Sequence, residues 1–221
     1  KDFITNKLSK VKNVYKYGNN YKIKILDNNK FEYQFNKNKR ILHKPTLNGA
    51  HQVENASVAL TFAEIMFRKK FKLNFMTINN VIKETTWPGR LEILKYKNKK
   101  IILDGSHNID GAKKLNEFLK SKKIKPDVLF GMLNNKKIDI FLSLIKGQIK
   151  NLIAIKIPDE KNAFKTDQIV ASCNKLSINY SKVKNFKEAF KYIKKTNQKF
   201  FLITGSLYLV GKIRNKFIKL T

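Results

Sequence analysis

From Pro88 to the end of the chain, short and almost wholly apolar runs alternate with amphipathic stretches, and this rhythm constrains the fold more than any other feature. Residues 128–133, 152–157 and 200–204 are nearly continuous in Val, Ile, Leu and Phe, the pattern of strands buried on both faces. Helical periodicity lies between and after them, over residues 109–122, 137–146, 166–176, 186–196 and 207–218, with a weaker strand signal near Ile178. Parallel strands need crossover connections of helix length, so the alternation predicts an α/β domain built on a Rossmann-like, mostly parallel open sheet. Residues 91–96 and 100–104 flank Lys97-Asn98 and predict a hairpin that adds an antiparallel edge.

The first part of the chain follows a different rule. Residues 14–17, 21–26 and 30–35 read as short strands separated by the turn signals Gly18-Asn19-Asn20 and Asp27-Asn28-Asn29. After Pro45, the apolar residues Val53, Ala56, Leu60, Ala63 and Phe67 recur at helical spacing and predict a helix over 49–68, and Thr77 is expected to cap a shorter helix running to Glu84. So few elements leave open edges and apolar faces, which suggests the tail of a larger domain. The rhythm changes at Thr85-Thr86-Trp87-Pro88, so the domains are expected at 1–86 and 87–221.

Charge is the other conspicuous property. In 221 residues, 47 Lys and Arg against 16 Asp and Glu give a formal net charge of +31. A basic surface first suggests phosphate backbones. Only Arg40, Arg68, Arg90 and Arg214 are arginine, however, and the bidentate base contacts that specify sequence favour arginine. The abundance of Lys, Asn and Ile is what an AT-rich genome imposes, so no specific nucleic-acid partner is expected, although the field would steer anionic ligands. A non-enzymatic basic module binding RNA or ribosomes is the rival reading. No run approaches the 18 apolar residues of a membrane span and no signal peptide is evident, so a soluble, cytoplasmic protein without membrane partner is expected; a monomer is expected as well. Cys173, the single cysteine, agrees with a reducing compartment.

In open α/β sheets, ligands bind beyond the carboxyl ends of the strands. Three predicted strands end there in a glycine with polar neighbours: Asp104-Gly105-Ser106-His107-Asn108, Gly131-Met132-Leu133 and Thr204-Gly205-Ser206. Common templates are missing, with no Walker loop, dinucleotide fingerprint or nucleophile elbow. His43, His51, His107 and Cys173 are too dispersed to predict a metal cluster, so no metal ligand is assigned. What remains is a set of ligand contacts. Asn55 could read a base edge or be a solvated helix polar residue; Arg90 could reach a phosphate or join a surface ion pair; Asp104 could accept from two ribose hydroxyls or close a turn. Ser206 opens a helix whose free N–H groups suit a carboxylate, with His107 on the same edge.

Five motifs, taken in order, resemble the folylpolyglutamate synthase/dihydrofolate synthase family of Mur-type amide ligases. They are Gly49-Ala50-His51-Gln52-Val53-Glu54-Asn55-Ala56, Pro88-Gly89-Arg90-Leu91-Glu92, Leu103-Asp104-Gly105-Ser106-His107-Asn108 with Gly111-Ala112, Gly131-Met132-Leu133, and Thr204-Gly205-Ser206-Leu207-Tyr208. The resemblance implies the C-terminal part of a central ATPase domain in residues 1–86 and a glutamate-side domain in residues 87–221. It implies an ATP-dependent ligase that activates a carboxylate of dihydropteroate or reduced folate as an acyl phosphate, which the amine of L-glutamate attacks. By the same resemblance Asn55 holds adenine, Asp104 the ribose, Arg90 phosphates, and His107 and Ser206 face the glutamate; Arg90 and His107 are the catalytic candidates. The phosphate-binding loop, the magnesium ligands and a modified lysine are expected upstream of Lys1, so these 221 residues alone are expected to be inactive.

Overall fold

The computed structural model describes Val11, residues 13–67 and residues 74–218. Its contacts divide the chain into two compact units, one of residues 1–46 and 50–86, the other of residues 47–49 and 87–221.

In the first unit, β1 (Tyr21–Ile25), β2 (Lys30–Phe35) and β3 (Asn38–His43) form an antiparallel meander. A three-stranded meander is present, but it is displaced along the chain from the expected one. Residues 14–16 form no strand, and the third strand is β3, reached through a turn at Asn36, whose φ of 53° is one that asparagine tolerates. Lys39 and Arg40 hide β3 in a basic stretch, and only Leu42 of that strand is buried. The helix α1 (His51–Phe67) packs Val53 and Leu60 on Phe31, Tyr33, Phe35 and Leu42. A buried polar bond adds to this core: the Tyr33 hydroxyl lies 3.0 Å from Thr61 Oγ1, which donates to Ser57 O at 2.8 Å. The next helix, α2 (Phe75–Glu84), begins earlier than expected, because Asn74 is the cap; its Oδ1 accepts from the N–H of Met76 and of Thr77.

The second unit holds a six-stranded sheet in the order β4-β5-β9-β6-β7-β8. The hairpin of β4 (Glu92–Tyr96) and β5 (Lys99–Leu103) is the antiparallel edge, and Lys97 at its turn has φ 53°. The strands β6 (Asp127–Phe130), β7 (Asn151–Ala154), β8 (Tyr180–Lys182) and β9 (Phe200–Thr204) run parallel with β5. The fold class read from the sequence is therefore the observed one. Strand alternation sends Ile102, Val128, Phe130, Leu152 and Leu202 to one face, against α3 (Ile109–Ser121), α4 (Ile138–Ile145) and α5 (Thr166–Lys175). Ile101, Leu103, Leu129, Ile153, Phe201 and Ile203 go to the other face, against α6 (Phe186–Lys195) and α7 (Leu207–Ile218).

This topology creates the position for a site. Strand β9 lies between β5 and β6; the helices after β5 and β6 cover one face, while the helix after β9 covers the other. Chains leaving adjacent strands therefore diverge, which opens a crevice at the carboxyl edge. The amino edge is closed instead. There the buried Asp127 accepts from Tyr192 Oη and Thr196 Oγ1, both at 3.2 Å, and Asn151 donates to Tyr192 Oη at 3.0 Å. Burial, with the Asp127 carboxylate as the next contribution, raises the Tyr192 phenol pKa.

Candidate functional site

Four of the five residues singled out by sequence, Arg90, Asp104, His107 and Ser206, belong to the second unit, and Asn55 belongs to the first. Four loops meet at the carboxyl edge of the sheet in the second unit, those before β4 and after β5, β6 and β9. Gly105 N donates to Gly89 O at 2.8 Å, Gly205 N to Ser106 O at 3.1 Å and Gly131 N to Thr204 O at 3.4 Å. Glycine is required at the crossing: Gly205 has φ 103°, and a Cβ there would stand 2.6 Å from Gly131 O. At the end of β9 the Thr204 hydroxyl is buried without a hydrogen-bond partner among the described residues. A native group of this kind calls for a water, a ligand or a functional reason.

Asp104 is 4% exposed. Its Oδ2 accepts from Leu91 N at 3.1 Å and its Oδ1 from Ser106 N at 3.0 Å. The carboxylate therefore braces the Arg90 loop, and a ribose would have only its remaining lone pairs. Leu91 itself has φ 49°, unfavourable for a residue with a γ-branched side chain, and its own side chain is buried in the core. The charge-assisted bond from Asp104 helps to offset that strain.

Arg90 stands half-buried in a backbone fastened at both neighbours. Besides the bonds of Gly89 O and Leu91 N, Glu92 Oε2 accepts from Gly89 N at 2.9 Å and Asn48 Nδ2 donates to Leu91 O at 2.8 Å. The Arg90 guanidinium makes no ion pair or hydrogen bond among the described residues, so the surface salt bridge weighed from the sequence is not formed. Arg214 shows the opposite arrangement. Its Nε and Nη2 grip Glu92 at 2.9–3.0 Å, and that hydrogen bonding raises its pKa. Neither Glu92 nor Arg214 was assigned a part from sequence, because 122 residues separate them and no spacing rule joins them.

His107 Nδ1 lies 2.9 Å from Gly105 O. A carbonyl can only accept, so Nδ1 carries the proton and Nε2 of the neutral ring is left as an acceptor. Asn108 caps α3 through Oδ1 to Gly111 N at 2.8 Å. Ser206, 3% exposed, caps α7, its Oγ accepting from Tyr208 N at 3.1 Å, so that bond does not use the hydroxyl proton. The first turns of α3 to α6 carry Asp110, Asp139, Asp167 and Glu188, whereas that of α7 carries no acid. Its positive end is thus not neutralised from within. In the first unit, exposed Asn55 donates to Gln52 Oε1 at 3.1 Å, and Gln52 Nε2 lies 3.0 Å from His51 Nε2. This relay orients the Asn55 amide and leaves its Oδ1 and second N–H for a ligand.

Among the described residues, no three His, Cys, Asp or Glu side chains converge to hold a metal ion.

In a doubly wound α/β domain, glycine-bearing polar loops converging at the carboxyl edge mark the place where such folds take their ligands. Residues 89–216 match the family described as dihydrofolate synthetase, C-terminal domain, and the chain belongs to that family. It is 28% identical over 184 residues to the dihydrofolate synthase/folylpolyglutamate synthase of Bacillus subtilis (strain 168), an alignment covering 78% of this chain and 40% of the relative. The folylpolyglutamate synthase of Thermotoga maritima superposes with a TM-score of 0.75 at 28% identity, over 100% of this chain and 51% of that one. A bifunctional folylpolyglutamate synthase/dihydrofolate synthase solved with Mn, AMPPNP and L-glutamate bound shares the fold, with a TM-score of 0.80 at 17% identity over 97% of this chain and 50% of the other. The chain thus spans about half the length of these relatives.

Proposed function

We propose that the chain is part of an ATP-dependent ligase that joins L-glutamate to dihydropteroate, to a reduced folate or to both. In this reading residues 1–86 are the C-terminal part of its ATPase domain and residues 87–221 its glutamate-side domain. The observation that carries the proposal is Arg90, whose backbone is fastened on both sides while its guanidinium has no protein partner among the described residues. Such a group is preorganised for a phosphate.

The reaction has two steps. A substrate carboxylate oxygen attacks the γ-phosphorus of ATP, releasing ADP and leaving an acyl phosphate. The amine nitrogen of glutamate then attacks the acyl carbon, inorganic phosphate departs and the amine loses a proton. Arg90 stabilises charge on the transferring phosphoryl group. Asn55 takes the adenine edge through its free amide atoms, and Asp104 lies on the ribose side while bracing the Arg90 loop. Ser206 and the start of α7 hold a carboxylate of glutamate, and His107 Nε2 orients the amine or receives its proton. Holding the reactants in line supplies most of the effect. The phosphate-binding loop, magnesium ligands and modified lysine are assigned to the part of the relatives' length that this sequence does not span. The enzyme is proposed to work as a monomer in the cytoplasm.

The test is mass-spectrometric detection of a dihydropteroate or folate product heavier by one glutamyl residue, formed by the complete ligase only with ATP present. Failure to form it, together with polyanion binding that ATP leaves unchanged and that weakens steeply with salt, would replace the proposal with a basic RNA-binding module.

A further inference from the structure

The fastening of the Arg90 loop leads outward to two residues with no assigned part, Glu92 and Arg214. Glu92, at the start of β4, accepts from Gly89 N through Oε2 at 2.9 Å. The same carboxylate is gripped by Arg214 of α7, with Nε 2.9 Å from Oε2 and 3.0 Å from Oε1, and Nη2 2.9 Å from Oε1. We propose that Glu92 and Arg214 act as positioning residues that hold the backbone of the Pro88-Gly89-Arg90-Leu91 loop so that the Arg90 guanidinium is presented to the phosphate. The proposal rests on the reading of Arg90 given above.

The geometry favours this over a general surface brace. Every other ion pair among the described residues has at least one side chain 60% exposed or more, whereas Arg214 and Glu92 are 26% and 18% exposed. A half-buried pair is screened less and holds its geometry better. The planar guanidinium fixes the carboxylate rotation, which a single lysine ammonium could not do, and that rotation aims Oε2 at Gly89. Gly89 needs such a hold: its φ is 73°, and a Cβ there would lie 2.8 Å from Val210 Cγ1, so the loop is pressed against α7 itself. Asp104 fixes the other side of the loop through Leu91. Arg90 thus sits between two carboxylates that each spend an oxygen on a neighbouring backbone N–H. Because Arg214 stands on the helix that Ser206 caps, the loop and the proposed glutamate-binding end of α7 are held as one unit.

Two NMR measurements on the 221-residue chain test the proposal, each made on the unaltered protein, Glu92→Gln and Arg214→Lys. The first is amide exchange at Gly89, with Leu152 and Ile153 of β7 as references for the fold. The second is the Arg90 Nε–H signal during titration with sodium tripolyphosphate. Loss of a charge-assisted bond predicts Gly89 exchange about tenfold or more faster in both variants, with β7 unchanged. It also predicts a tripolyphosphate response of Arg90 weakened by about threefold or more. Arg214→Lys retains the charge, so it remains decisive if Glu92→Gln also loosens β7. Unchanged Gly89 exchange in both variants overturns the proposal, as does faster exchange with an undiminished Arg90 response. An Arg90 signal in the unaltered chain that ignores tripolyphosphate would instead remove the phosphate reading, leaving Gly89 exchange to decide whether the pair positions the loop.

Discussion

The N–H of Leu91 donates to Asp104 Oδ2 across 3.1 Å, joining the loop before β4 to the loop after β5. The other carboxylate oxygen takes Ser106 N, so one buried side chain satisfies two backbone donors that have no strand partner. Asp104→Ala leaves both donors unpaired. It is expected to destabilise the second unit by about 1–3 kcal/mol for each, read as a lower urea midpoint at unchanged slope. Asp104→Asn retains one acceptor and should lose roughly half as much. Stability equal to the unaltered chain in both variants would show that the carboxylate is not a brace.

Arg90→Ala should behave in the opposite way. Its guanidinium has no protein partner among the described residues, so stability should change by no more than about 0.5 kcal/mol. In the complete ligase, turnover should fall roughly ten- to hundredfold, the worth of a charge-assisted bond of about 1.5–3 kcal/mol. A lowered melting temperature with normal turnover would move Arg90 from the site to the scaffold.

The second unit was legible because its signals are local. Short, nearly unbroken apolar runs such as Leu152, Ile153 and Ala154, alternating with helix-length amphipathic stretches, read as strands covered on both faces, and the span of α7 follows directly from its periodicity and the Gly205-Ser206 start. The first unit was harder. Strand β3 has one buried residue, so basic side chains on its exposed face mask the alternation that identifies strands. The loops of the candidate site were visible as glycine and polar residues after strands, but what holds them was not. Glu92 with Arg214 and Leu91 with Asp104 are contacts made by the fold, and the left-handed backbone of Leu91 contradicts the preference of leucine.

Cys173 gives a prediction about pH. The thiol, carried by α5, is completely buried in the core, and burial raises its pKa from 9.0 to about 11. The folded state keeps its proton where the unfolded state has lost it. This contribution therefore favours folding below pH 9 and is lost as pH rises from about 9 to 11, amounting to on the order of 3 kcal/mol. The chain should lose stability over that window more steeply than Cys173→Ala, which lacks the group. At neutral pH the thiol should react with a disulfide reagent only at the rate of unfolding. Rapid labelling of the native chain would show that the core around α5 opens.

Ser206 and His107 are predicted to serve glutamate and not the nucleotide. Ser206 Oγ already accepts from Tyr208 N, so what it offers a ligand is its hydroxyl proton, at a helix end with no acid in the first turn. A carboxylate is suited to that environment. Removing one neutral hydrogen bond of about 0.5–1.5 kcal/mol predicts that Ser206→Ala raises the glutamate KM roughly two- to tenfold in the complete ligase, with the ATP KM unchanged. The same change also removes a helix cap, at about 1 kcal/mol, and the pair Ser206→Asn and Ser206→Asp separates the two effects. Both replacements keep a capping oxygen, but only Asp places a negative charge where the glutamate carboxylate is proposed to bind. Asp should therefore raise the glutamate KM well beyond Asn, although its charge at the helix start should make it the more stable of the two by about 0.3–1 kcal/mol. His107→Gln, which keeps a donor toward Gly105 O but lacks the basic ring nitrogen, should lower turnover with glutamate more than it raises KM. An ATP KM that moves in these variants while the glutamate KM does not would place the nucleotide, and not the amino acid, at the start of α7.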